Sequence, residues 1–383
     1  MIDLFPELLV SLTVQTTLLL IVTQFLAKRE SDVASEEDLF TVCHSVILVL
    51  CLCGCLLPHL RIIPQSVWPS HVLQVTAESV NRVAVLLMVI WGCGAVVLTL
   101  STVLAFLRAS LLVQSSRALT SRETATVSFG NCGGVGADTP AVSVDRSSVL
   151  IKVNSLVLSP FCWQFHRPVI VLPETLLDFP PAELHAVIRH EMAHLKNRHP
   201  LRLFLQRIVE ILFWFHPLVW KSSRRAAVVR EMVSDQQAVT SREQAASLLR
   251  GLYRLVAVRS GATIDLPAGL AFASGGDSLS LRVSHLLRSV GERSDSGHSD
   301  RSDQLRLSRR RVRSVFRLFP AVIVAVALWL PVHPNATNRS HLSPWPLPSA
   351  IALTELGIAV RDYEVDAFRL QEERGARPEE QVW

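Results

Sequence analysis

The sequence predicts an integral membrane protein, mainly α-helical, in which four transmembrane helices carry an α+β domain between the third and the fourth. Three observations carry that reading. Of the 383 residues, 49% are hydrophobic; they fall in blocks long enough to cross a bilayer; and about two hundred residues of mixed character separate the last two blocks.

The first three blocks, Leu8 to Ala27, Phe40 to Leu57 and Val83 to Leu107, contain no charged residue. Each is long enough for a hydrocarbon core of roughly 30 Å. The fourth, Val315 to Val332, is interrupted only by Arg317. A cleaved signal peptide does not fit the first block, because "MIDLFPELL" has no basic flank and "LAKRE" no small-x-small cleavage site. Basic residues set the orientation: Lys28 and Arg29, Arg108, and "SRRRVRSVFR" (308–317) flank membrane ends that belong on one side, the cytoplasm. The N-terminus, the 58–82 loop and the tail from His333 then lie outside, and the 108–314 segment inside. That is the topology of a multi-pass membrane protein with both termini outside the cytoplasm, and with the lipid bilayer as its first partner.

The net charge of +5 is largely this topogenic clustering, so no direct nucleic-acid partner is expected. Seven cysteines, five of them (Cys43, Cys51, Cys53, Cys55, Cys93) inside the blocks, do not form a secreted disulfide framework. "CLCGC" (51–55) reads as small apolar packing residues in a span.

Within 108–290, the working domain, "TATVSFGNCGGVGADTP" (124–140) is turn-like and lacks the Gly-Lys-Ser/Thr of a phosphate loop. "AVSVDRSSVLIKVNSLVL" (141–158) alternates as short strands do. "RPVIVLPE" (167–174), β-branched between two prolines, suits an edge strand able to accept an extended peptide. After it, in "DFPPAELHAVIRHEMAHLKN" (178–197), Asp178, prolines and Glu183 signal a helix start, which places His-Glu-x-x-His (190–194) on a helix. The stretch 201–220 is apolar except for Arg202, Gln206, Arg207, Glu210 and His216; the first four form a helical stripe, as in a membrane-associated helix. Residues 291–314, rich in Ser, Asp and Arg, read as a linker.

His190 and His194, four residues apart on a helix, can aim two imidazoles at one metal ion, with Glu191 beside them to take a proton from a water activated there. The five-residue pattern needs a third ligand. An extended HExxHxxGxxH motif is excluded by Asn197 and Pro200. The other usual source is a glutamate on a following helix, which "REMVSDQQAV" (230–239) supplies as Glu231, with Asp235 one turn on to hold a ligand histidine in its tautomer.

In this order and behind three spans, "SPFCWQFHRPVIVLPE", "HEMAHLKNRHP", "FWFHPLVW" and "REMVSDQQAV" resemble the BlaR/MecR family of membrane-embedded zinc peptidases, over roughly residues 1–332. The resemblance implies a gluzincin-like zinc metalloprotease domain, zinc as cofactor on His190, His194 and Glu231, and Glu191 as catalytic base. It also implies a signal-relaying endopeptidase whose protein substrate is a cytoplasmic transcriptional repressor, or the chain itself; a homodimer is compatible with this. Two departures stand out. The family's large penicillin-binding domain has no counterpart in His333–Trp383, where no Ser-x-x-Lys pattern occurs, so antibiotic sensing is not expected. His199 stands where the family often has Asp; it reads as a helix-end residue, and His185 and His216 as structural. The competing readings are a receptor or scaffold with a vestigial metal site, and an HtpX-like quality-control protease.

Overall fold

The computed structural model describes residues 4–59, 70–127, 149–260, 276–295, 311–330, 343 and 345–360. It is mainly helical. Helices α1 (Leu4–Ala27), α2 (Val33–Leu56) and α3 (Ser70–Ser115) contain the first three apolar blocks, except that Leu57 caps the end of α2. The segments Phe5–Ala27, Val33–Leu56 and Arg82–Ser115 are long and apolar enough to cross a membrane, as a membrane protein requires. α2 begins well before its apolar block because Asp32 caps it, accepting from the Ser35 N–H at 3.1 Å, and because Glu36 complements the positive helix end.

The fourth block departs from the expected single helix 315–332. A helical stretch over 311–316 ends in a turn at 317–318, and a separate helix α10 (Phe319–Ala327) follows. Pro320, in the first turn of α10, lacks the N–H that a continuous helix needs there. α10 nevertheless docks on α1, where the Gln15 side-chain amide donates to the Leu328 carbonyl (2.9 Å) and the Ser11 hydroxyl accepts from the Leu330 N–H (3.0 Å). His59 stacks on Trp329, and the Ser343 N–H donates to the His59 carbonyl, at one end of this bundle. Arg317 meets Glu30 at 2.8 Å near the Lys28–Arg29 flank, so the basic flanks of the first and fourth blocks share an end.

The stretch 201–220 also breaks in two. α6 (His199–Leu212) stops at Phe213, and α7 (Pro217–Ala238) starts with His216 as N-cap and Pro217 in its first turn. Leu19 and Leu20 of α1, Ile47 and Leu50 of α2, Val209 and Phe213 next to them, and Leu318 and Ala321 form one buried cluster. Whereas Phe204 stays exposed, the C-terminal part of α6 thus packs against α1 and α2 through Val209 and Leu212. Its polar stripe turns inward: Gln206 donates to Glu210 (2.8 Å) and accepts from Arg230 of α7 (2.8 Å), and Arg207 pairs with Glu210.

A four-stranded sheet, β1 (Arg117–Ala118), β2 (Leu150–Asn154), β3 (Phe161–Trp163) and β4 (Val169–Pro173), runs in the order β1-β2-β4-β3, with β2 and β4 parallel. The expected edge strand 167–174 is thus an inner one, every residue of β4 being buried. Its prolines sit at the ends, where a missing N–H costs little, and the Pro168 carbonyl still accepts from the Leu150 N–H (3.0 Å). The edge on the β4 side is β3. A 3-10 turn (Glu174–Asp178) leads into α5 (Pro181–Lys196), whose Leu184, Val187 and Ile188 pack under Ile170 and Leu172. Each such side chain stabilises by about 1.5–3 kcal/mol. α5 in turn packs on α7 and on α8 (Arg242–Ser260).

α4 (Ser121–Val127) makes the first part of the expected 124–140 turn region helical, and 128–148 lies outside the described residues. α9 (Gly276–Asp295) extends into the expected linker, of which 296–310 also lies outside them; α11 (Leu347–Glu355) follows α10.

α3 docks through tryptophans: the Trp91 indole donates to the Leu212 carbonyl (2.9 Å) and that of Trp214 to the Trp91 carbonyl (3.2 Å). A Cβ at Gly94 would overlap the Trp214 indole. Gly94→Val is therefore expected to displace Trp214 and destabilise the detergent-solubilised protein by about 1–3 kcal/mol. A lowered Tm with altered tryptophan fluorescence checks this; an unchanged Tm would refute the close approach.

Candidate metal centre

α5 runs uninterrupted from the Pro181 first turn to Lys196, so its period places His190 and His194 on one face. Their Nε2 atoms face each other at 3.1 Å. Glu231 of α7 approaches both, with carboxylate oxygens 3.6 Å from each Nε2. Ligands about 2.0–2.1 Å from a tetrahedral ion stand about 3.3 Å apart, so the three donor atoms, all within 4.8 Å of one another, have the spacing that such an ion requires. Two imidazoles and a carboxylate are also donors suited to zinc.

Each ring is held from behind. Nδ1 of His190 lies 2.9 Å from Asp235, one turn past Glu231 on α7. Nδ1 of His194 lies 2.7 Å from Nδ1 of His199. His199 does start a helix, as expected, but it is buried and in contact with the site. Asn197 and Arg198 bring this about: Asn197 ends α5, bonded to the Ala193 carbonyl and to Gln237 (3.0 Å each), and Arg198 is left-handed at φ 54°. The chain thereby turns back and His199 returns onto His194; a non-glycine residue in that conformation costs roughly 1–2 kcal/mol.

Three contributors were not marked in the sequence. Arg282 of α9, only 9% exposed, forms a fork on Asp235 (2.8 and 2.9 Å) and reaches Glu231 at 3.1 Å. Cys162 of β3 directs its thiol at the Glu191 carbonyl and carboxylate, 3.1 Å from each. Burial, reinforced by Glu191, pushes this thiol well above its ordinary pKa, so it donates as S–H rather than competing as a thiolate. Glu37 of α2 contacts His199 at 3.0 Å. Arg282 is one of 38 basic residues and Cys162 one of seven cysteines; neither has a spacing that sets it apart. The acidic run "SEED" (35–38), on the flank of a predicted span, was the one available signal for Glu37. His185, bonded to the Thr126 carbonyl (2.9 Å), and His216, bonded to Thr17 (2.9 Å), lie outside the cluster.

Burial would lower His190, but contacts with Asp235 and Glu231 outweigh it and lift its pKa to about 10. Burial, with the neighbouring histidines, drives His194 well below its ordinary value despite Glu231. Burial would raise Glu231, but the charged Arg282 and His190 beside it outweigh this and hold it well below the carboxylate range. Glu191 is raised, chiefly by burial, toward the range in which a carboxylate works as a base.

Two histidines and a glutamate on adjacent helices, with a buried glutamate beside them, form a donor set with the spacing of a metal site. The BlaR1 peptidase M56 family matches residues 60–253, half of the chain, and the chain belongs to that family. It is also 31% identical over 90 residues to Regulatory protein BlaR1 of Bacillus licheniformis, a match that covers 24% of this chain and 15% of that protein's length.

In the metal-free protein at neutral pH His190 holds a proton that a metal must displace, whereas His194 is already neutral and Glu231 ionised. Zinc affinity is expected to rise about tenfold per pH unit from about pH 7 to 9, with one proton released per ion. Chelator competition across that range checks it; a pH-independent affinity would contradict these charge states.

Proposed function

We propose that this protein is a membrane-embedded zinc-dependent endopeptidase that relays a signal by cutting a cytoplasmic protein, such as a transcriptional repressor, or its own chain. The observation that carries the reading is the convergence of His190, His194 and Glu231 on one point with Glu191 buried alongside. Family membership supports the peptidase reading, and the name of the Bacillus relative, a regulatory protein, supports the signalling one. The domain from 108 to 290, on this reading, works on the cytoplasmic side between the third and fourth membrane segments.

When bound, zinc supplies Lewis-acid activation of a water molecule and of the scissile carbonyl. Glu191 takes the proton of the attacking water on its carboxylate and returns it to the departing amine nitrogen. The Cys162 thiol holds that carboxylate in place at 3.1 Å. Asp235, 2.9 Å from Nδ1 of His190, would steady that ring while its Nε2 faces His194 and Glu231, and Arg282 neutralises the paired acids Glu231 and Asp235. β3 carries Cys162 and has no strand beyond it among the described residues. Its free edge can pair with an extended substrate backbone next to Glu191. A complete donor set with a buried base disfavours the scaffold reading.

Glu191→Gln is expected to lower proteolysis by about 10²–10⁴-fold while zinc content stays at about one per chain. Comparing the proteins cut in membranes holding the wild type and spared by this variant checks the role and identifies the substrate. Undiminished cleavage by the variant would overturn the mechanism.

A further inference from the structure

Glu37 lies in the early part of α2, a candidate membrane helix, and takes no part in the centre's ligand set. It is 4% exposed, with one oxygen 3.0 Å from Nε2 of His199 and 2.7 Å from Arg202 of α6. His199, also 4% exposed, presents its other nitrogen to Nδ1 of His194 at 2.7 Å, with the Ser234 hydroxyl 3.3 Å away. Two nitrogens facing each other at that distance need one proton between them. A carboxylate offers only acceptors, so the charge of Glu37 at 3.0 Å favours the His199 tautomer with its proton on Nε2. Nδ1 of His199 is then an acceptor, and the proton between the rings belongs to Nδ1 of His194. That leaves the lone pair of His194 on Nε2, the atom that faces His190 and Glu231.

We infer that Glu37 is a positioning residue for His194, acting from α2 through His199 to hold the ring orientation and tautomer in which Nε2 can bind a metal ion. The inference rests on the reading of His190, His194 and Glu231 as a zinc site. It gives His199 a task that an aspartate would perform directly: the acid lies one ring further away and on a different helix. Displacement of α2 is then felt at a metal ligand.

The test is zinc affinity of the full-length detergent-solubilised protein, by competition with a chromophoric chelator, together with the visible spectrum of the cobalt-substituted protein. Glu37→Gln keeps the shape and removes the charge; it is expected to weaken zinc binding about 10–100-fold and to shift the cobalt bands. Glu37→Asp, which keeps the charge, is expected to retain most of the affinity. In a His199→Asp background, where a carboxylate meets His194 directly, Glu37→Gln is expected to cost nothing or to tighten binding. Glu36→Gln controls for helix docking, because Glu36 joins α2 to Arg225 of α7 at 2.7 Å without touching His199; it should bind zinc as the wild type does. Wild-type affinity in Glu37→Gln, or an equal loss in both backgrounds or in Glu36→Gln, would overturn the inference. A wild-type protein that binds no zinc would instead overturn the metal-site reading itself.

Discussion

The rest of the structure depends on charge compensation where α5 meets α7. Glu231 and Asp235, one turn apart, must both stay ionised in a place from which water is nearly excluded, Asp235 being 2% exposed. An isolated buried carboxylate would protonate instead. His190 from α5 and Arg282 from α9 supply the opposing charge at hydrogen-bond distance. Removing one partner of such a group typically costs about 3–5 kcal/mol, so three helices are bound to one arrangement. The same arrangement brings the Nε2 atoms of His190 and His194 and the Glu231 carboxylate into the spacing of a metal site, so the compensation that stabilises the fold also shapes the centre.

The candidate membrane helices are fastened to this core by a second set of charges. Glu36 joins Arg225 of α7, and Glu37 joins both Arg202 and His199 of α6. Below these ion pairs the contact becomes apolar, through Leu19, Ile47, Leu50, Val209 and Phe213. α3 reaches the peptidase domain through aromatic rings, with Phe106 against Trp163 of β3 and against Phe165 just beyond the strand (4.8 and 4.9 Å). The strand that carries Cys162 is therefore braced by one candidate membrane helix, α3, and the ring behind His194 by another, α2.

Periodicity and ligand spacing made the helix of His190 and His194, the three leading apolar helices and the glutamate on a later helix legible, because each is a local pattern of residue type. Breaks within apolar stretches were less so. In 201–220 and 315–332 continuous hydrophobicity suggested single helices, yet Pro217 and Pro320 start new ones. The prolines of 167–174 suggested an edge strand, but they flank it and leave its ladder intact. The supporting shell was not legible, for a physical reason: Glu37, Cys162 and Arg282 reach the centre from three elements distant in the chain, and long-range contacts leave no periodic trace. His199, read in isolation as an odd substitution, becomes intelligible only once Glu37 stands behind it.

The central claim is that His190, His194 and Glu231 bind one zinc ion without any sulfur ligand. X-ray absorption at the zinc edge of the purified protein tests it most directly. The expected result is a first shell of nitrogen and oxygen only, at about 2.0–2.2 Å, with the multiple scattering of two imidazoles. Sulfur at about 2.3 Å, which would place zinc on cysteines, or a shell with no imidazole signature, would contradict it.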